Sequence, residues 1–128
     1  MRLLLDTHAL FWFFEGNPRL SSSAREAIAD DESAVHVSAV SAIEIAQKYR
    51  AGKLPAAAEL AVNFEALMID YDFAPLPITL RHAQVAGLLQ IPHKDPFDRL
   101  LIAQAQTEAL VLVSNEVTFD SFGVIRLW

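Results

Sequence analysis

The sequence predicts an α/β fold with a central, mainly parallel, twisted sheet flanked by helices on both faces. Short continuous apolar runs, Leu3-Leu4-Leu5 and Leu110-Val111-Leu112-Val113, read as strands covered on both faces, which is the habit of parallel sheets. Stretches with helical spacing of apolar residues alternate with such runs. The acids Asp6, Glu44, Asp95, Asp98 and Glu116 fall where strands end or helices begin. In a parallel sheet those positions share one edge, and ligands bind in the crevice there.

Taken in order, Arg2 to Asp6 is the first strand, with Asp6 at its end. Thr7 to Glu15 reads as a helix that is apolar nearly all round and is stopped by Gly16-Asn17-Pro18. Phe11, Trp12, Phe13 and Phe14 in succession cannot all face one core, so part of this helix is expected to be covered by another subunit or a partner. Ser21-Ser22-Ser23 supplies caps for a second helix from about Ala24, with Ser23-x-x-Glu26 as a capping box, and Asp30-Asp31-Glu32 ends it in solvent. Ala34 to Ser38 is the second strand. Ser41-x-x-Glu44 then reads as the capping box of a third helix from Ala42 to about Arg50, ended by Gly52.

Pro55 is expected to begin a long helix to about Ile69, with Leu60, Phe64, Leu67 and Met68 on its apolar side. Phe73 to Ile78 is a short strand that Pro75 and Pro77 confine to an edge. Thr79 caps a helix to about Leu89. The stretch His93 to Ala105 then opens a buried helix with Asp95 at the N-cap, Pro96 at the first position and Asp98 at the third. Taken alone, this pair of acids reads as a capping box with Asp in place of Glu. The strand to Val113, a loop from Ser114 to Asp120 and a closing strand from Val124 to Leu127 complete the chain.

A chain of 128 residues is about one domain long, so residues 1–128 are expected to form a single domain. No apolar run reaches the roughly 18 residues of a membrane span, and Arg2 followed by three leucines is no signal peptide, so a soluble, cytoplasmic protein is expected. The absence of cysteine excludes thiolate metal sites and a Cys nucleophile. A net charge of −6 argues against a protein that coats nucleic acid but not against an enzyme acting on it. Lys48, Arg50 and Lys53 are gathered, and Lys94 and Arg99 flank the paired aspartates. Four glycines and no G-x-S-x-G leave neither a dinucleotide-binding nor a serine-hydrolase reading.

The acids explain one another poorly as caps, because like charges brought close raise each other's pKa and cost stability unless a cation lies between them. Mg²⁺ or Mn²⁺ suits such a set: hard cations take carboxylate oxygens, acidify a bound water and offset charge on a phosphoryl group. The chemistry suggested is metal-dependent phosphodiester hydrolysis. Asp6, Glu44 and Asp98 are the candidate catalytic residues, and Asp6, Asp98, Asp95 and Glu116 the candidate metal ligands. Thr7, Ser38, Asn115 and Arg99 are candidate supporting residues. The four histidines His8, His36, His82 and His93 have no metal-ligand spacing and read as packing or surface residues, and Arg99 as one half of a structural ion pair.

The runs LLLDTHALFW, SAVSAIEIAQKYRAGKL, HKDPFDRLLIAQA and LVLVSNEVTFDSFGV resemble, in order, the motifs of the PIN-domain ribonucleases, specifically the VapC toxins of toxin–antitoxin pairs. By that resemblance Asp6, Glu44 and Asp98 occupy the family's acidic positions, Asp95 is the extra acid of a DPFDR subset, and a motif like T-x-D-x-x-F falls on Ser114 to Phe119. Here the sequence departs from the pattern, with Glu116 where Asp is usual and Ser114 where Thr is usual. The resemblance implies a PIN-like fold, RNA cleavage, homodimerisation and a VapB-type antitoxin. It also suggests that a polar residue at Trp12 weakens antitoxin binding without unfolding the chain. Two rivals stand beside it. One is a phosphoryl-receiver-type domain, which wants a Lys after a late strand where this chain has Ser114-Asn115-Glu116. The other is a catalytically weak or inactive interaction module.

Overall fold

The computed structural model describes residues 1–128. Strands β1 (Arg2–Leu5), β2 (Ala34–Ser38), β3 (Ala74–Leu76), β4 (Val111–Val113) and β5 (Arg126–Leu127) form one sheet in the order β3-β2-β1-β4-β5. Every neighbouring pair is parallel. The chain lays β2 and β3 on one side of β1 and then returns to lay β4 and β5 on the other. The switch falls between β1 and β4, where an open parallel sheet has its ligand crevice.

Strand alternation divides the interior into two cores. Leu3 and Leu5 of β1 join Val35 and Val37 of β2 in a core with α1 (Thr7–Glu15), α2 (Ser22–Ala29), α4 (Ala58–Val62) and α5 (Phe64–Asp70). Leu4 points the other way, with Leu112 of β4, to meet Leu101, Ile102 and Ala105 of α7 (Pro96–Thr107). All three leucines are fully buried, each worth about 1.5–3 kcal/mol, so an acid at any of them would be expected to break the sheet. Helix α6 (Leu80–Leu88) packs along α7, capped by Thr79 and, reciprocally, by its own His82. As Pro75 and Pro77 require, β3 lies at an edge.

Several expectations are corrected. Helix α2 begins at Ser22, because the hydroxyl of Ser21, not Ser23, accepts the Ala24 N–H. Helix α3 (Ala39–Arg50) begins three residues earlier than expected, because the Ser38 hydroxyl accepts the Val40 N–H at 2.9 Å. Ser41 is therefore already helical, its hydroxyl pairs with Thr7 at 3.1 Å, and the Ser41–Glu44 capping box does not form. The long helix from Pro55 is broken into a 3-10 turn (Pro55–Ala57), α4 and α5, with Asn63 out of helical geometry at φ −113° and ψ 34°. The closing strand shrinks to two residues, and the loop before it contains a 3-10 helix, Val117–Phe122.

The aromatic helix is corrected as well. Phe11 and Trp12 are buried by the chain itself, at 8% and 9% exposure. Phe13 and Phe14 lie edge-on to one another and against Tyr71 and Phe73, and Trp12 packs between His8 and Trp128. The helix is covered on more than one side because α5, its following turn and the C-terminal residue close over it. Its aromatics are no surplus, so they give no support to a partner or a second subunit, and a polar residue at Trp12 is no longer expected to spare the fold.

Candidate active site

The carboxyl edge of β1 and β4 opens into a cleft of about 220 Å³. Asp6, Glu44, Asp95, Asp98 and Glu116 line it, together with Thr7, His8, Lys48 and Leu101. Five acids separated by as many as 110 positions in sequence thus border one space, against a single lysine.

Asp6 is the deepest, at 5% exposure. Its backbone N–H extends the sheet to Val113 O at 3.0 Å, and its carboxylate caps α1 by accepting the Ala9 N–H at 2.8 Å. Burial pushes its pKa up to about 6. The neighbouring Ser114 hydroxyl and the Ala9 amide pull it down, while the charges of Glu116 and Asp98 push it up. Asp98 is raised in the same way, first by burial and then, against the pull of His93, by Asp95 and Glu44. Glu116 is raised by burial and by Asp98. These carboxylates therefore sense one another across the cleft.

Each of four acids is also engaged by a neighbour of its own. Asp98 Oδ2 accepts from His93 Nε2 at 2.7 Å, and Asp95 Oδ1 from the Phe97 N–H at 2.9 Å. Glu44 pairs with Lys48 one turn on, at 3.3 Å, and Asp6 has its cap. No three His, Asp or Glu side chains are gathered closely enough to hold one metal ion among them. The donor set itself, all carboxylate oxygen around a repelling centre, is of the kind hard divalent cations take.

The sequence anticipated Asp95 as N-cap and Asp98 at the third position, but the capping box does not close, because Asp98 turns to His93 instead of the N-cap amide. Glu44 lies in the second turn of α3, not the first, because that helix starts early. Among the supporting candidates only Thr7 lines the cleft. Ser38 is spent as the α3 cap, and Asn115 is exposed outside the cleft. Arg99 forms no ion pair. Its guanidinium donates to the backbone carbonyls of Ala86, Leu89 and His93 at 2.7–3.0 Å, closing the end of α6 and the loop behind it. A guanidinium with five donors suits so many carbonyls better than one carboxylate does.

Sequence reasoning passed over two histidines. His8 lines the cleft, stacked on Trp12 at 5.3 Å, and burial lowers its pKa. His93 orients Asp98 and rests on Phe122 at 5.4 Å. The only local signal for the latter was its place five residues before Asp98. Ser114 is fully buried beside Asp6 and also accepts the Glu116 N–H at 3.1 Å, so it links the two acids.

The fold and site define a parallel α/β domain whose acids converge on the crevice at its topological switch. The PIN domain family model matches residues 3–124, and the chain belongs to that family. Among solved structures with the same fold is VapBC2 from Rickettsia felis bound to a DNA fragment from their promoter, with TM-score 0.73, 14% identity, 99% of this chain and 98% of that chain covered. FitAcB from Neisseria gonorrhoeae gives TM-score 0.68 and 16% identity over 100% and 97% of the two chains. A toxin–antitoxin complex from Klebsiella pneumoniae gives 0.60 and 19% over 98% and 96%. No curated protein matches the chain by sequence.

Proposed function

We propose that the chain is a single PIN domain acting as a Mg²⁺- or Mn²⁺-dependent endoribonuclease, the toxin of a VapBC-type pair in the cytoplasm. The observation that carries this reading is the buried Asp6 carboxylate, which faces Glu116 and Asp98 in a cleft with a single lysine. Asp6, Asp98, Asp95 and Glu116 would hold the ion, and Glu44 would complete the site, released from Lys48. A bound divalent cation supplies an acidified water and a counter-charge for the phosphoryl oxygens.

The chain's own residues set up that chemistry. Ser114 and the Ala9 amide hold Asp6 in place, and His93 fixes the rotamer of Asp98. Thr7, held by Ser41, presents a hydroxyl at the edge of the cleft, within reach of a scissile phosphate. Glu44 alone would leave its present partner, Lys48, to join the other acids.

The partner proposed is a VapB-type antitoxin, in line with the VapBC and toxin–antitoxin complexes that share the fold. A homodimer belongs to the same reading, and Leu80 and Leu88 of α6, 91% and 70% exposed, leave apolar surface for it. Sedimentation of the chain alone at twice 14.2 kDa supports the dimer, and a monomer at micromolar concentration removes it.

The test is incubation of the partner-free protein with total and transfer RNA in Mg²⁺, Mn²⁺ or EDTA, beside Asp6→Asn. Discrete fragments that need metal and vanish with the variant bear the reading out. The separate engagement of the acids favours a second reading, a catalytically silent PIN-like interaction module. Metal binding by calorimetry without cleavage of any RNA would select it.

A further inference from the structure

We propose that the groove between the C-terminal end of α3 and the first turn of α7, lined by Lys48, Arg50, Lys53 and Phe97, carries a single strand of RNA into the acidic cleft. The inference rests on the nuclease reading above and adds to it the path of the substrate. The groove, about 420 Å³, adjoins the cleft, since the paired side chains of Glu44 and Lys48 line both.

The charge there runs against that of the molecule. In a chain of net charge −6, Arg50 and Lys53 are exposed and pair with no carboxylate. Lys48 and Arg50 lie in the last turn of α3, where cations offset the helix dipole, so those two have a structural explanation. Lys53 has none, because it lies beyond the helix. Gly52, at φ 75°, turns the chain back so that the Lys53 N–H reaches Lys48 O at 2.9 Å, and the third base comes to lie beside the other two. Cations at the mouth of an acid-lined cleft are what a polyphosphate needs to approach it.

Phe97 favours an RNA strand over a segment that brings charge alone. It lines the groove from the second position of α7, half-buried and packed in part against the core beneath that helix. An aromatic face offers stacking to an unpaired base, whereas carboxylates make no use of it. A duplex hides its base faces, so the strand is single.

The experiment is fluorescence anisotropy with a labelled oligouridylate across a salt series, in an Asp6→Asn background so that the probe is not cut. Arg50→Ala with Lys53→Ala is expected to weaken binding roughly ten-fold and to lower the salt slope by about 1.4, from ~0.7 for each cation removed. Phe97→Leu, its fold checked by melting, is expected to weaken binding roughly ten-fold and to leave the slope unchanged. In the active background the double variant is expected to raise KM and leave kcat alone. Unchanged affinity and slope in a protein that binds and cuts RNA would overturn the path and leave the nuclease reading standing. A parent that neither binds nor cuts RNA would overturn both.

Discussion

His93 Nε2 lies 2.7 Å from Asp98 Oδ2, and this bond holds a cleft carboxylate from outside the cleft. A partner that orients a metal-binding carboxylate typically matters about 10- to 100-fold for affinity or activity. His93→Ala is therefore expected to weaken Mn²⁺ binding in calorimetry, and RNA cleavage with it, by that order. His93→Gln, which keeps a donor at a similar distance, is expected to recover part of the loss. Equal metal affinity in all three proteins would remove the positioning role.

Asp6 makes the chain less stable than it would be without the charge, and the sign follows from its pKa. The folded value of about 6 stands above the ordinary 3.8, so the native state holds the proton more tightly than the unfolded chain does. Stability is then fullest below pH 3.8 and declines as pH rises through 6. The difference, 6 minus 3.8, corresponds to about 3 kcal/mol once Asp6 is fully ionised. Asp6→Asn keeps the cap acceptor, since Asn caps as well as Asp does. The variant is expected to melt several degrees higher than the parent at pH 7.5, to lose that advantage by pH 4, and to lack nuclease activity. A variant no more stable at pH 7.5 than at pH 4, relative to the parent, would count against a buried charge.

Arg99 ties the end of α6 to α7 through backbone carbonyls. Lysine has three donors on a point charge and cannot span them in a fork. Arg99→Lys is expected to cost about 2–3 kcal/mol in urea unfolding and to speed amide exchange around residues 86–93. Unchanged stability would mean that water replaces the fork without loss.

Trp12 belongs to the core, at 9% exposure between His8 and Trp128. Trp12→Gln is expected to destabilise the chain by about 3–5 kcal/mol, seen as a lower denaturation midpoint before any partner is added. A variant as stable as the parent would return this side chain to the role of a partner contact.

The sequence by itself determined the strand order in the chain, the buried character of β1 and β4, the edge position of β3 and the cap at Asp95. It also placed all five acids at one edge. Each of these follows from a local rule: the period of apolar residues, the missing N–H of proline, the cap preference of a short polar side chain. Tertiary structure decided what local rules cannot reach. Ser38 and Ser41 both have hydroxyls able to cap α3, and the contact of Ser41 with Thr7, 34 residues away, goes with the choice of Ser38, which moves Glu44 into the second turn. The run Phe11 to Phe14 is uniformly apolar, and only the packing of Tyr71, Phe73 and Trp128 against it makes an interior of what reads as a surplus. Arg99 reads as half of an ion pair and His93 as a packing or surface residue until the loop between α6 and α7 folds back over the start of α7. Such contacts join residues whose separation in the chain has no period, so no pattern in the sequence announces them.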